Sequence, residues 1–528
     1  MIPALPSRLR ANFVVIVLGI FWPCLGGCKD SSATPVPAAA PPSNLVTSIS
    51  SPDDEALMRK LCTQCHLFAD PDVLPKSEWN SAITSMVSLP GYGRTIPKRI
   101  SPKAIEDWFR KRAPETLSLA DRASLPIEPP PRQMTSLKSP RSKGSPFVSQ
   151  CQLVTWPETG ERKLLACDMR NGWLMEAKLN KEPLELRVFC DQVPHPARMQ
   201  IVDLDADGRS EFVVANLGSF PAMDHNLGTV DWLRPTESGW ERIILAENLG
   251  RVADVKAFDF DGDGDLDLAV AEFGWRLTGH VVLLENTTPK SGRARVPKFE
   301  KRILDERHGA EQVEITDIDG NGLLDMIVLL AQEHELLVAY LNLGAEGFKA
   351  RELFRAPHPV WGYSGFQLLD FDGDQDLDVL LTNGDMMDGP AIKPYHSVTW
   401  LENLGDMKFE SHVLAELPGC HRAEAVDLDG DGDFDIVACT LVPAGTDQQA
   451  VKQGGTTPPS LIWLEQTAPR EFQLHVWERG PGRYPTLVTG DADGDGRPDV
   501  AVGVGLWETL DRHEGSVEYL KLWRSNAK

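Results

Sequence analysis

Six nine-residue segments of one pattern recur along this chain: DLDADGRSE from Asp203, DFDGDGDLD from Asp259, DIDGNGLLD from Asp317, DFDGDQDLD from Asp370, DLDGDGDFD from Asp427 and DADGDGRPD from Asp491. Their starts lie 56, 58, 53, 57 and 64 residues apart. A period of that length marks a solenoid or a propeller rather than a string of independent domains. The 528 residues are therefore not divided by ordinary domain sizes but by the repeat.

Each segment sets oxygen donors at its first, third, fifth and ninth positions, and the seventh residue can add its carbonyl. A hard cation such as Ca²⁺ takes oxygen ligands, and alternate placement lets a curling loop turn them all inward. The candidate ligands are Asp203, Asp205, Asp207 and Glu211; Asp259, Asp261, Asp263, Asp265 and Asp267; Asp317, Asp319, Asn321 and Asp325; Asp370, Asp372, Asp374, Asp376 and Asp378; Asp427, Asp429, Asp431, Asp433 and Asp435; and Asp491, Asp493, Asp495 and Asp499. Glycine at the sixth position (Gly208, Gly264, Gly322, Gly432, Gly496) permits a sharp turn, and Gln375 replaces it in the fourth segment. No bidentate acid follows at position twelve and the flanks read as strands, so these are not EF-hands. The segments hold 26 of the 77 acidic residues, so much of the formal charge of -24 belongs to loops that up to six Ca²⁺ would neutralise. The acidity and the absence of a basic stripe exclude nucleic acid as a partner.

Strand-like runs flank every loop, for example Leu268 to Ala271, Val281 to Asn286, Trp400 to Asn403 and Phe409 to Leu414. Four short strands per period indicate a propeller blade. Residues 147 to 191 contain four such runs without an acidic loop, which makes seven blades, six of them calcium-bearing. The last blade lacks its fourth strand, which a segment before Ser145 is placed to supply. The predicted fold class is mainly β: a seven-bladed propeller over 145–528, preceded by a linker or closing strand over 116–144 and a small all-α domain over 51–115. Just before each acidic loop stand His195, Arg198, Arg251, His308, Trp361, His421, Arg422 and Arg483, with Glu311, Tyr363 and Tyr484 beside them. Symmetry would gather these into one axial funnel suited to a carboxylated or sugar-like ligand. Strand capping and blade-edge bonding is the alternative.

The front of the chain carries different chemistry. Arg8 and Arg10, an apolar stretch to Trp22 and Leu25-Gly26-Gly27-Cys28 form a short export signal with a lipoprotein-type box, over 1–28. The apolar run is too short to span a bilayer. Residues 29–50 are rich in Ser, Ala and Pro and read as a flexible tether. Then Cys62-Thr63-Gln64-Cys65-His66 has the spacing of covalent haem attachment: two thiols one helical turn apart for thioether bonds, and an imidazole for the iron. Neither a thioredoxin-like context nor a second zinc-ligand pair accompanies it. Met86, on a helix read from Ser77 to Val87, is the candidate sixth ligand, with Met58 and Met134 as alternatives; a third helix is read from Ser101 to Arg112. Of the remaining cysteines, Cys151 with Cys167 and Cys420 with Cys439 are spaced to face each other across neighbouring strands, or else serve as buried small residues with Cys190.

The helices around Cys62 to His66 resemble a small monohaem cytochrome c domain, and the acidic segments resemble the FG-GAP or VCBS repeats of integrin-α-type propellers. Together they resemble exported lipoproteins of planctomycete type that join the two. The resemblance implies lipidation of Cys28 and one covalent haem c relaying single electrons. It also implies up to six Ca²⁺ and a location facing the periplasm or the cell surface. Lys29, in place of an aspartate after Cys28, favours the outer membrane.

No nucleophile–base pair, Gly-rich phosphate loop or HExxH is present in the sequence. The primary expectation is an electron-transfer lipoprotein whose propeller docks a redox partner protein, a small molecule or a glycan, touching the membrane only through its lipid. A periplasmic dehydrogenase of a sugar or organic acid, with haem as electron acceptor, is the first alternative. An adhesion or polysaccharide-binding protein is the second.

Overall fold

The computed structural model describes residues 53–64, 66–88, 100–118, 125–128, 132–141, 144–289, 296–386, 389, 391–445, 457–508 and 517–525. The expected export signal with Cys28, the expected tether, and Cys65 lie outside them.

Among the described residues three α-helices come first: α1 (Asp53–Cys62), α2 (Trp79–Val87) and α3 (Pro102–Arg112). The last starts where the sequence places a cap, since Ser101 accepts a hydrogen bond from the Ala104 amide and Pro102 takes the first turn. Its apolar residues recur on one face, so Ala104, Ile105, Trp108 and Phe109 are buried together. They meet Met58, Leu61 and Cys62 of α1 and Trp79 and Ile83 of α2 in one core. Trp79 stacks on Phe109 at 4.1 Å between ring centroids, and its indole N–H donates to the Pro71 carbonyl at 3.0 Å.

The rest is a ring of seven four-stranded antiparallel sheets. In chain order the blades span Val148–Cys190, Pro196–Leu249, Val252–Asp305, Ala310–Arg355, Tyr363–Glu416, Cys420–Arg479 and Thr486–Ser525. The last blade contributes three strands of its own, and the strand Arg132–Lys138 pairs antiparallel with Glu518–Ser525 as the fourth. The second strand of blades two to seven is buried at every position, as in Asp325–Leu330. Such strands are near-continuous apolar runs because neighbouring blades cover both faces. The outermost strands carry exposed charges, as Glu300, Lys301 and Arg302 do in Phe299–Asp305.

Two ladders decide the cysteines. Cys151 lies opposite Ala166 and Cys167 opposite Gln150; Cys420 lies opposite Thr440 and Cys439 opposite Arg422. A one-residue offset puts the two side chains of each candidate pair on opposite faces of the sheet. They enter different apolar layers between blades, and all four, with Cys190, are buried free thiols.

The first strand of each of the first six blades carries a β-bulge at its second residue. A bulge re-aims the side chains beyond it. In consequence Gln150, Arg198, Asp254, Gln312, Gly365 and Arg422, each the residue after a bulge, occupy equivalent places around the axis.

Candidate functional site

The acidic loops join the first and second strands of blades two to seven, all at one end of the ring. In each, the first aspartate's Oδ2 accepts the amide of the sixth residue, at 2.8 to 3.2 Å. That sixth residue has positive φ in every copy, from Gln375 at 79° to Gly432 at 102°. The fourth position is also left-handed: Ala206 at 54°, and glycine in the other five loops. Donor oxygens converge in at least four loops. Asp203, Asp205 and Glu211 each offer one atom within 4.8 Å of the others, as do Asp259, Asp261 and Asp263; Asp317, Asp319 and Asp325; and Asp370, Asp372 and Asp374.

The ninth position does more than offer an oxygen. In all six loops it starts a strand and one carboxylate oxygen accepts the amide of the loop's second residue, as Asp325 does from Ile318 at 3.0 Å. In five, the other oxygen accepts an amide from the third strand, such as Asn342 on Asp325 at 2.6 Å. Glu211, one methylene longer, instead binds the Trp232 indole at 2.6 Å, and its Oε1 is buried without a hydrogen-bond partner. Burial, with Asp205 and Asp207 nearby, pushes Glu211 up to about 7; Asp267 and Asp435 rise to about 6, chiefly by burial. Asp205 Oδ1 and Asp433 Oδ1 are likewise buried and unpaired. Buried carboxylate oxygens facing one another without donors are a donor set for a hard cation.

At the centre of the ring a cavity of about 450 Å³ is lined from all seven first strands, with Arg198, Lys256, Glu314, Arg422 and Glu424 among its charges. These charges are engaged with one another and with the backbone. Arg198 pairs with Asp254 at 3.0 Å, Lys256 with Glu314 at 3.1 Å, and Arg422 donates to Gln312 Oε1 at 2.6 Å. Arg422 crosses blade five because residue 365 is glycine: a Cβ there would fall 1.8 Å from Arg422 Nη1. The same level stitches the blades, since Gln150, Gln200, Asp254, Gln312, Gln367 and Glu424 each accept a backbone amide from the next first strand. Glu311 is pushed up to about 7 by burial, against the pull of Arg198 and Arg422.

Of the eight residues expected in a funnel, the structure brings Arg198 and Arg422 together. His421 is the bulged residue beside Arg422, its Nδ1–H donating to the Pro485 carbonyl at 2.8 Å. His195 likewise donates to the Met169 carbonyl at 2.9 Å, and Arg251 lies over the Phe273 ring. Arg483 lines a separate cavity of about 400 Å³ with Tyr484, Glu478 and Lys521. His308 binds Glu333, and Trp361 stacks on Tyr395 at 5.3 Å. Strand capping and blade-edge bonding thus account for the inner positions. The expected residues stand at unequal distances before their loops, from five residues to nine, and of the eight only the two at five, Arg198 and Arg422, line the central cavity.

In the helical module Cys62 ends α1, buried at 9% exposure. His66 follows, half-buried, with Nδ1 2.6 Å from the Leu67 carbonyl. A carbonyl only accepts, so Nδ1 carries the proton and Nε2 presents its lone pair. Met86 packs against the module's core and Met58 is fully buried in it. Met134 is on the closing strand, 45% exposed, opposite Trp523. The Trp108 indole N–H is buried without a partner, and the Arg112 guanidinium lies 4.2 Å over its ring. The module is seated on blade five at the end opposite the acidic loops. Val360 packs into its core, and the Tyr395 hydroxyl, with one proton to donate, lies 3.2 Å from both the Val73 and the Val360 carbonyl oxygens.

Among known families, one described as FG-GAP-like repeat matches residues 317–381, which comprise the third acidic loop and the chain up to the second strand of the next blade. No curated protein matches the chain. Among solved structures, the chain is similar to two crystal structures of BBS1N in complex with ARL6DN, one soaked with mercury and one with lead. The first is 10% identical, covers 74% of this chain and 96% of that chain, with a TM-score of 0.43. The second is 12% identical, covers 74% and 98%, with a TM-score of 0.39. The chain carries an FG-GAP-like repeat in a seven-bladed β-propeller, an architecture consistent with binding a protein or ligand.

Proposed function

We propose that the chain is an exported, lipid-anchored electron carrier: the helical module holds one haem c, and a calcium-braced propeller docks its redox partner. The observation that carries this reading is His66, whose Nδ1–H is fixed by the Leu67 carbonyl so that Nε2 is left for iron, one residue after the second thiol of the Cys62/Cys65 spacing. Cys62 and Cys65 would hold the porphyrin, His66 would be the proximal ligand and Met86 the distal one. The unpartnered Trp108 N–H and the neighbouring Arg112 guanidinium are suited to an anionic edge of such a group. Haem bound there supplies a one-electron couple. The chain's own part is to wall Cys62 in the apolar core it shares with Phe68, Trp79 and Phe109, and to hold the module on blade five through Tyr395 and Val360.

Expression with c-type maturation machinery, followed by a reduced-minus-oxidised spectrum of the purified full chain, tests this. One covalent haem per chain is expected, lost in C62A/C65A and altered in its axial bands by M86A. Absence of covalent haem from the wild type overturns the reading. Labelling with a fatty acid, abolished by C28A, is the expected result for the anchor.

Calcium in the acidic loops is supported by the unpaired buried oxygens of Asp205, Glu211 and Asp433. Calorimetric titration after chelation is expected to show several Ca²⁺ per chain and a higher unfolding temperature with the ion present. Equal stability with and without Ca²⁺ would sink the bracing role.

A further inference from the structure

His308 precedes the first strand of blade four, and Glu333 and His334 form the turn between its second and third strands, Asp325–Leu330 and Leu336–Asn342. The ladders place Ala310 beside Leu330 and Leu330 beside Leu336, so all three residues meet at one end of the sheet, away from the acidic loops. One donor atom of each lies within 4.8 Å of the other two. His308 Nε2 is 3.0 Å from Glu333 Oε2, and the two imidazole rings are 5.0 Å apart, edge to face.

An ordinary His–Glu ion pair would use two of these groups and leave the third unexplained. His334 Nε2 is buried and has no hydrogen-bond partner, an unfavourable state if nothing fills it. The turn is also built against backbone preference, with Gln332 at φ 59° and Glu335 at φ 46° flanking Glu333 and His334. Glu335 is held by accepting the Tyr363 amide at 2.8 Å, which anchors the turn to blade five. Arg307, next to His308, is forked onto Asp305 and so is occupied.

We infer that His308, Glu333 and His334 form a site for a divalent transition ion of the Zn²⁺ class, separate from the acidic loops. Two imidazoles and one carboxylate suit a borderline ion with bonds of about 2.0–2.2 Å, and not Ca²⁺, which takes oxygens. Donors on such an ion stand about 3–3.5 Å from one another; the His308–Glu333 separation already meets this and His334 needs a small rotation. The Glu333 side chain is 31% exposed, so solvent reaches the ion and a coordination position stays open.

The test is calorimetric titration of chelator-treated full-length protein with Zn²⁺ in saturating Ca²⁺, which fills the acidic loops. The wild type is expected to show a Zn²⁺ site that H308A, E333Q and H334A each weaken at least tenfold. Carbethoxylation of the wild type, read by mass spectrometry, is expected to modify His308 and His334 less when Zn²⁺ is present; this needs no variant to fold. No Zn²⁺ uptake by the wild type at millimolar ion, variants within twofold of it, or unprotected histidines would overturn the site.

Discussion

At the scale of single residues, the axis of the ring is a set of side chains made for one another. Gly365 exists so that Arg422 can reach Gln312. Gly365→Ala is expected to lower stability by about 1–3 kcal/mol, the usual range for overpacking. In the R422A background the same change should cost far less, so a double-mutant cycle by urea unfolding should show strong coupling. Additive costs would mean that Arg422 relaxes freely. Glu311 offers a pH test. Its folded pKa of about 7 lies above an unfolded value near 4.5, so the folded state holds the proton more tightly. Its favourable contribution is present below about pH 4.5 and is lost as pH rises through 7. Glu311→Gln should therefore be more stable than wild type at pH 8, by about 1–2 kcal/mol once solvent in the channel is allowed for, and equal to it below pH 4. Thermal melts of the two proteins across that range measure the difference.

At the scale of elements, the nine-residue loop was legible because its residues are chemically unambiguous at fixed spacing, and the strands around it followed from apolar runs. The dual use of its ninth residue was not legible. An aspartate at that place reads as a ligand, and only the third strand's position reveals that Asp325 also ties Ile318 to Asn342. The left-handed fourth position could have been found, since glycine stands there in five of the six loops. Two substitutions in the third loop separate the roles. Asp325→Ala, which orphans the buried Asn342 amide and the partly buried Ile318 amide, is expected to cost about 2–4 kcal/mol even in chelator. Asp319→Ala should leave stability in chelator within about 0.5 kcal/mol, the usual range for surface changes, while weakening Ca²⁺ binding. Chemical denaturation with and without Ca²⁺ reads both. The cysteines and the funnel both turn on exact place along a strand: neighbouring residues face opposite sides of a sheet, so Cys151 and Cys167, one step out of register, part, and of the residues expected in the funnel Arg198 and Arg422 line the cavity.

At the scale of the whole molecule, blade count and the missing fourth strand of the last blade could be reasoned from the period, because a ring leaves no edge only if every sheet is complete. Which segment fills that place is a matter of tertiary pairing, and the answer is Arg132–Lys138 on Glu518–Ser525. Arg132 reinforces the closure, donating to the Leu428 carbonyl at 2.7 Å in the neighbouring blade. A chain beginning at residue 125 is expected to fold into the propeller without the helices. One beginning at residue 140 should expose the Glu518–Ser525 edge and lose several kcal/mol, with self-association visible by light scattering. Equal stability of the two truncations would show that the clasp is dispensable.

That clasp also sets an order of events. Arg132–Lys138 leaves the ribosome before any blade is made, and its partner is made after all of them. Its backbone groups must wait, unpaired, through the synthesis of the entire ring, since contacts so distant in sequence form late. The wheel can be spun out blade by blade, but it cannot lock until the strand made first meets the strand made last, and whatever holds the chain open in the meantime has the whole of translation in which to act.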